Sequence, residues 1–476
     1  MPSLRSCASL AAALALALGA ASATAAPHPP RIHPVGILVD SVHAHNALAL
    51  PKGSDPYAYH NVYGFRRAFA YLKSQGVTID ELRTGRLSAA RLAGHRILFI
   101  NLVSADLPPF TAPEIVAVRR FVEQGGGVFV ITDHSNCYYH AYKLMPLLEE
   151  LGIRVTTETA CDVPPNVLGD GNGWIAVTRF ARHPVTRGLR AIGFQTGGTV
   201  DDRFSVAFTS AKAWGDQWIV GAYGEARNQG FYGNWAKDPA ERSGPLGVVL
   251  AREFGRGRIV IVADQNVFGD PFLNYADNYR LWLNATAWLA GEPSLSDPRP
   301  YRAWRKPRIV AYEDCARAAW GNSAARGYYN LFVALGRRLW LFASSDLSGA
   351  DLLLFAHDDA GLSRQARDAA VAHLKAGRNL VVLGPSPLRT PSRPALVRQL
   401  ADALGAPREE QVYGNRTYTW TGCGRVFLLP RTQPFWNAVQ PAPERAPNED
   451  QRVFLDALAR FLEGLAKPSG VRPRAR

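Results

Sequence analysis

Three apolar runs in this sequence end in acids and polar groups of the kind that do chemistry. In GILVDSVHAHN, Ile37-Leu38-Val39 leads to Asp40, with His43 and His45 close behind. In GGGVFVITDHSNCYYH the run closes on Asp133-His134, followed by Ser135, Cys137 and His140. In GRGRIVIVADQN it closes on Asp264 and Asn266. A carboxylate beside an imidazole fixes its tautomer and supports the imidazolium, which suits general acid/base work. Asp133 and His134 are therefore the candidate catalytic pair. Asp40, His43, His45, Asp264 and Asn266 are candidate substrate-binding groups. The same donors can hold a divalent metal and activate water, so the cofactor stays open. Asp and Asn also cap helices that begin at strand ends, and a histidine can simply bond loop carbonyls. Both readings stand at this point.

Strands and helices must alternate to bring these residues together. VGILVD, VTIDEL, RILFINLV, VFVIT and GRGRIVIVAD read as strands. YGFRRAFAYLKSQG, TAPEIVAVRRFVEQGG, KLMPLLEELG and DNYRLWLNATAWLAG have helical apolar spacing. Thr111 and Glu114 are placed as a capping box, and Gly125 ends that helix. Alternating β and α with continuous apolar strands predicts a parallel sheet covered on both faces. In such sheets ligands bind outside the carboxyl ends of the strands, where the three clusters fall.

The plan is repeated after a proline-rich linker at about 294–305. RIVAYEDC is a strand, YYNLFVALGRRLW a helix and ADLLLFAHDD a strand. LSRQARDAAVAHLKAGRNLVVLG aligns without a gap on FTAPEIVAVRRFVEQGGGVFVIT, so that Thr111 faces Ser363 and Gly125 faces Gly377. GCGRVFLLP then matches GRGRIVIVA. The expected fold is α/β: two flavodoxin-like parallel-sheet domains in tandem, about 30–293 and 306–466, with a basic tail at 467–476. The first carries an insertion at roughly 160–247, rich in Trp, Gly and Tyr, which serves either to stack sugars or to pack loops. The second copy has Pro385-Ser386 where the first has Asp133-His134, and Glu313-Asp314-Cys315 after its first strand without a histidine. It is expected to be a degenerate support or interaction domain.

With 476 residues, 47% hydrophobic and 20% charged, the chain has the composition of a globular protein of more than one domain. The first 25 residues read as a secretory signal peptide, with Arg5, the stretch LAAALALALGA and the cleavage site Ala23-Thr24-Ala25. A periplasmic or secreted location follows, with no membrane span after signal removal. The net charge of +14 comes without a dense basic run or a nucleic-acid motif, so nucleic acid is not an expected partner. No CxxC is present, which argues against a closed structural zinc site. Export permits a disulfide, and Cys137–Cys161 is the expected bridge, ahead of any pairing of Cys315 with Cys423.

LVDSVHAHN, YHNVYGFRRAF, GGGVFVITD, HPVTRGL (183–189) and GRGRIVIVADQNVF occur in an order that resembles the class I glutamine amidotransferase-like superfamily, in its exported bacterial branch. The resemblance covers most of the first copy and implies a flavodoxin-like fold. The glutaminase machinery is missing: DHSNC replaces a Gly-flanked Cys elbow, and the last strand ends in ADQN without His-x-Glu. Glutaminase activity is not expected. Some relatives accompany polysaccharide-degrading enzymes, and others look like scaffolds. The expected function is binding, with hydrolysis as an extension, of a small polar ligand, carbohydrate first. The alternative is a non-catalytic envelope scaffold that meets protein partners through its second domain.

Overall fold

The computed structural model describes residues 35–45, 47–48, 64–168, 171–218, 232–270, 272–297, 306–314, 319–321, 327–356, 362–383, 395–412, 415–429 and 449–467. The expected signal peptide, most of the linker, Cys315, Pro385-Ser386 and nearly all of the basic tail lie outside the described residues. No described helix is long and apolar enough to cross a membrane.

The first half is built on strands β1 (Gly36–Asp40), β2 (Thr78–Leu82), β3 (Ile97–Ile100) and β4 (Gly127–Ile131). Its insertion supplies β5 (Glu158–Cys161), β6 (Trp174–Val177), β7 (Arg179–Phe180), β8 (Ile192–Gln195), β9 (Ser205–Phe208) and β10 (Trp214–Gln217). A hairpin of β11 (Gly247–Phe254) and β12 (Gly257–Val262) closes the half. The main sheet runs β2-β1-β3-β4-β12-β11-β9-β7. Its first five strands pair in parallel, in the 2-1-3-4-5 order of doubly wound sheets. The remaining three pair antiparallel, an extension that the sequence pattern does not announce.

Helices α1 (Arg66–Ser74), α2 (Ala89–Leu92), α3 (Ala112–Glu123), α4 (His140–Glu150) and α5 (Asn278–Ala290) cover this sheet. Helix α3 has the expected capping box of Thr111 and Glu114, and Gly125 follows it with φ +110°. The core is aromatic at its centre. Trp282 of α5 is ringed by Phe69, Phe99, Phe129 and Phe268 at 5.1–5.7 Å between centroids, the first two edge to face and the last two tilted. Such pairs add about 0.5–1.5 kcal/mol each beyond the area they bury.

The second half repeats the order. Strands β13 (Arg308–Tyr312), β14 (Trp340–Ser344), β15 (Leu352–Ala356), β16 (Asn379–Leu383), β17 (Arg408–Val412), β18 (Asn415–Thr419) and β19 (Arg425–Leu429) form a sheet β14-β13-β15-β16-β19-β18-β17. Helices α6 (Tyr329–Gly336), α7 (Arg364–Lys375), α8 (Ala395–Leu404) and α9 (Glu449–Ala466) accompany it. The apolar spacing of YYNLFVALGRRLW predicts one helix through Trp340. Instead the helix ends at Gly336, and Trp340–Ser344 is an edge strand, the counterpart of β2. Two glycines show that the halves share a backbone contact. A Cβ on Gly257 would overlap the carbonyl oxygen of Gly126, and one on Gly424 that of Arg378. Gly126 and Arg378 are equivalent in the ungapped alignment, so both sheets close by the same approach of turn to strand.

The halves are joined through one packed interface. Phe272 and Tyr275 of the first half stack at 4.6 Å and meet Tyr329 and Phe332 of α6. The backbone of Asn274–Ala276 pairs with Ala343, and Asn274 Nδ2 donates to the carbonyl of Leu341. The edge of β14 is thereby covered by the first half.

Candidate functional site

Register builds the centre of the site. β4 and β12 are adjacent and parallel, with Ile131 opposite Val262. Asp133 and Asp264 each stand two residues beyond those partners, so neighbouring strands roughly 4.8 Å apart deliver two carboxyl groups side by side. Asp264 is fully buried and accepts hydrogen bonds from the N–H groups of Gln195 (2.6 Å) and Asn266 (2.7 Å). Burial lifts it to about pH 7 in spite of those bonds. Burial, followed by the neighbouring Asp264, pushes Asp133 well above the ordinary carboxyl range. One proton shared between two such groups is the arrangement expected of buried like charges.

The loop after β4 is held in a conformation that residues other than glycine avoid. Ser135, Tyr138 and Tyr139 have φ of 50°, 53° and 59°. Left-handed positions of this kind cost about 1–3 kcal/mol each and persist only where the surroundings enforce them. His140 does much of the enforcing. Its Nε2 accepts from the N–H of Asp133 at 3.3 Å, so the proton lies on Nδ1, which donates to the carbonyl of Cys137 at 2.9 Å. Burial drops this histidine to about pH 4, consistent with a neutral ring that ties the two ends of the loop. Across the loop, a glycine pair forms the wall: Gly198 donates to the carbonyl of Ala263 at 2.6 Å and lies against the backbone of Asp133. His134 stacks on Tyr232 of the insertion, 4.6 Å between centroids and 15° from parallel. The atoms of Asp133, His134 and Cys137 that could ligate a metal all lie within 4.8 Å of one another.

The β1 residues sit elsewhere, because β3 separates β1 from β4. Asp40 and His43 are almost fully buried, and Asp40 Oδ2 lies 2.8 Å from His43 Nδ1. His43 Nε2 lies 3.3 Å from Glu114, and the ring stacks on Phe110 at 4.4 Å. The histidine is thus clamped between two carboxylates and locks its loop to the start of α3. His45 reaches further. Its ring meets Tyr138 edge-on at 5.4 Å, and burial lowers its pKa against the opposing pull of Asp106. Asn266 donates from Nδ2 to the carbonyl of Gln195, holding the segment that donates to Asp264.

The expected disulfide is not formed: Cys137 and Cys161 are both buried and free. Cys137 Sγ is turned to His140 Nδ1 at 3.7 Å, while Cys161 lies on β5 opposite Trp214 of β10. The hydrogen-bonded turn from Asp133 to His140 points the first thiol into the site instead of toward β5. Burial raises both thiols, and for Cys137 the charges of Asp133 and Asp264 add to it.

Sequence reasoning missed the walls of the site. The only local sign of Gly197-Gly198 was the pair itself, which permits close backbone approach. An open groove of about 440 Å³ runs over the outer side of the loop, lined by Pro109, Phe110, Tyr139, Tyr142, Lys143 and Pro146. Trp218 stands edge-on to Tyr142 at 5.7 Å. The second half also touches the periphery, since Tyr329 OH donates to Gln195 Oε1 at 3.3 Å.

After β13, the counterpart of β1, Glu313 accepts from the N–H groups of Trp320 and Gly321 at 2.7 and 2.8 Å. Burial pushes it up to about pH 8. A raised carboxyl stabilises the fold fully below its unfolded pKa near 4.5 and loses that contribution as the pH rises through about 8. Glu313→Gln is expected to come close to the native chain at pH 5 and to exceed it at pH 9, by about 4 kcal/mol. Denaturant unfolding at both pH values checks this, and a difference that does not change with pH would refute it.

A family described as a domain of unknown function, DUF4350, matches residues 61–286, just under half of the chain. That span contains the Asp133 loop, the insertion and Asp264. No curated protein matches in sequence. Among solved structures, the mmIFT52 N-terminal domain is 16% identical, covers 53% of this chain and 97% of its own, and has a TM-score of 0.37. A ThuA-like protein from Bacteroides uniformis is 14% identical over 57% of this chain and 99% of its own, with a TM-score of 0.32. A β-galactosidase from Bacillus circulans is 14% identical over 55% of this chain and 32% of its own, with a TM-score of 0.29. Likenesses this distant say nothing about what the site binds.

Proposed function

We propose that the first half is an exported binding domain for a small polar ligand, a carbohydrate before other classes, with a site equipped for acid/base hydrolysis. The observation that carries this reading is the in-register delivery of Asp133 and Asp264 to one buried point beside His134. A carboxyl kept protonated near neutral pH is a general acid, and its ionised neighbour is a base. The aromatic rings of Phe110, Tyr139 and Tyr142 along the adjoining groove offer apolar faces of the sort that sugars stack on. The amidotransferase-like motifs fit the same fold and, lacking the Cys elbow, point away from glutamine hydrolysis.

Glycan-array screening followed by calorimetry on the purified chain tests the reading. Tyr142→Ala, at an exposed position, and Asp133→Asn are each expected to weaken binding tenfold or more, about 1.4 kcal/mol. A folded protein that binds no glycan, or binds equally well in both variants, would end it.

The rival reading is an envelope scaffold. It draws on Val453 and Phe454, which are exposed side by side on α9. A stoichiometric partner captured from envelope fractions, lost with Val453→Lys but kept with Asp133→Asn, would favour it.

A further inference from the structure

Asp133, His134 and Cys137 bring a carboxylate, an imidazole and a thiol together from a five-residue turn, their ligating atoms within 4.8 Å of one another. We propose that these three side chains bind one divalent transition metal, zinc being the ion the mixed O, N, S donor set suits best. The proposal deepens the reading of the same site as a ligand pocket, but it rests on the donor geometry alone.

Ligand atoms around a tetrahedral zinc stand roughly 3.3–3.8 Å apart, given metal–ligand bonds of about 2.0–2.3 Å. The 4.8 Å limit exceeds that range by about an ångström, which the Asp133 and Cys137 side chains would close by turning toward a fixed His134 ring. The supporting contacts are those of a metal site. Ser135 Oγ lies 3.3 Å from His134 Nδ1 and 2.8 Å from Thr159 Oγ1, and Tyr232 stacks on the ring, so its orientation is fixed. His140 holds the backbone of Cys137 and of Asp133 in one rigid turn. Three protein ligands leave a fourth position for water or substrate, the pattern of catalytic zinc. This differs from the closed structural site that the lack of CxxC argues against. On binding, the Cys137 S–H bond breaks, its proton passes to bulk water, and the sulfur electron pair forms the metal–sulfur bond with no redox change. Cys161, on β5 opposite Trp214, belongs to no such cluster among the described residues and serves as the internal control.

Cobalt(II) added to chelator-treated full-length protein reads this directly. One equivalent is expected to produce a sulfur-to-cobalt charge-transfer band and intense visible bands of four-coordinate metal, both erased by zinc. Cys137→Ser should abolish the charge-transfer band, Cys161→Ser should leave it, and Asp133→Asn should weaken binding about 10- to 100-fold. If Cys137→Ser does not fold, zinc protection of Cys137 against alkylation in the native chain, read by peptide mapping, replaces it. A folded native protein with no band, a band that survives Cys137→Ser, or equal alkylation with and without zinc would overturn the proposal. Glycan binding measured on metal-free and zinc-loaded protein keeps the two ideas apart. Glycan binding without cobalt uptake removes the metal and leaves the proposed function, and cobalt uptake without glycan binding does the reverse.

Discussion

Gly198→Ala is expected to destabilise the protein by about 3 kcal/mol or more and to displace the Asp133 loop, and with it the ligand site proposed there. A Cβ at this position would overlap the carbonyl oxygen of Asp133 and would stand 3.0 Å from its carbonyl carbon and 3.2 Å from the carbonyl oxygen of Glu158. All three atoms are backbone, so none can swing aside. The N–H of Gly198 is also bound to Ala263, which prevents the segment from backing away. Relief must come from moving the residues between β4 and α4, the segment that sets the positions of Asp133 and His134. Gly171→Ala is the matching control, since a Cβ there meets nothing within 4 Å. Chemical denaturation of both variants decides the matter. A Gly198→Ala protein within about 0.5 kcal/mol of native would show that the close approach does not exist.

Glu114→Ala should cost about 3–5 kcal/mol, far more than an ordinary helix cap. Glu114 accepts hydrogen bonds from Thr111 N–H, Thr111 Oγ1 and Leu87 N–H, and it faces His43 Nε2. Removing it leaves one buried and two part-buried donors without this partner, and a histidine held from one side only. Burial raises the Glu114 pKa, yet the bonds from Thr111 and Leu87 and the nearby His43 outweigh it, and the net shift is downward. A lowered carboxyl contributes stability above its unfolded pKa near 4.5 and loses it as the pH falls through the folded value. The penalty of the substitution should therefore be full at pH 7 and shrink in acid. A double-mutant cycle with His43→Ala is expected to show coupling of about 1–2 kcal/mol. Additive effects would mean that the clamp contributes nothing as a unit.

These two predictions concern residues that differ in how well the sequence reveals them. The alternation of strands and helices, the repeat and the capping box are local or periodic properties, and they are legible. So is the nearness of Asp133 to Asp264, once both are counted from the ends of apolar strands. The partner of His43 is not. Glu114 reads correctly as a cap, but nothing local says that its second oxygen faces a histidine from the β1 loop. Cys137 and Cys161 fall at strand ends in one half, which suggests a bridge. The turn that aims the first thiol inward depends on His140 and on three left-handed residues with no glycine to signal them. Strand β14 is hidden because only the short Gly336-Arg337-Arg338 stretch separates its apolar run from that of α6.

The backbone pairing of Asn274–Ala276 with β14 gives the chain a direction of assembly. The N-terminal half is made first, and domains generally fold as they emerge. By the time Trp340–Ser344 is available, its docking rail is already in place, so the raw strand margin is sealed as it forms. Read the other way round, the C-terminal half would come out with that margin bare, and with Tyr329 and Phe332 facing water where Phe272 and Tyr275 belong. The duplicated half thus lays one edge of its sheet against a neighbour that the ribosome has already delivered.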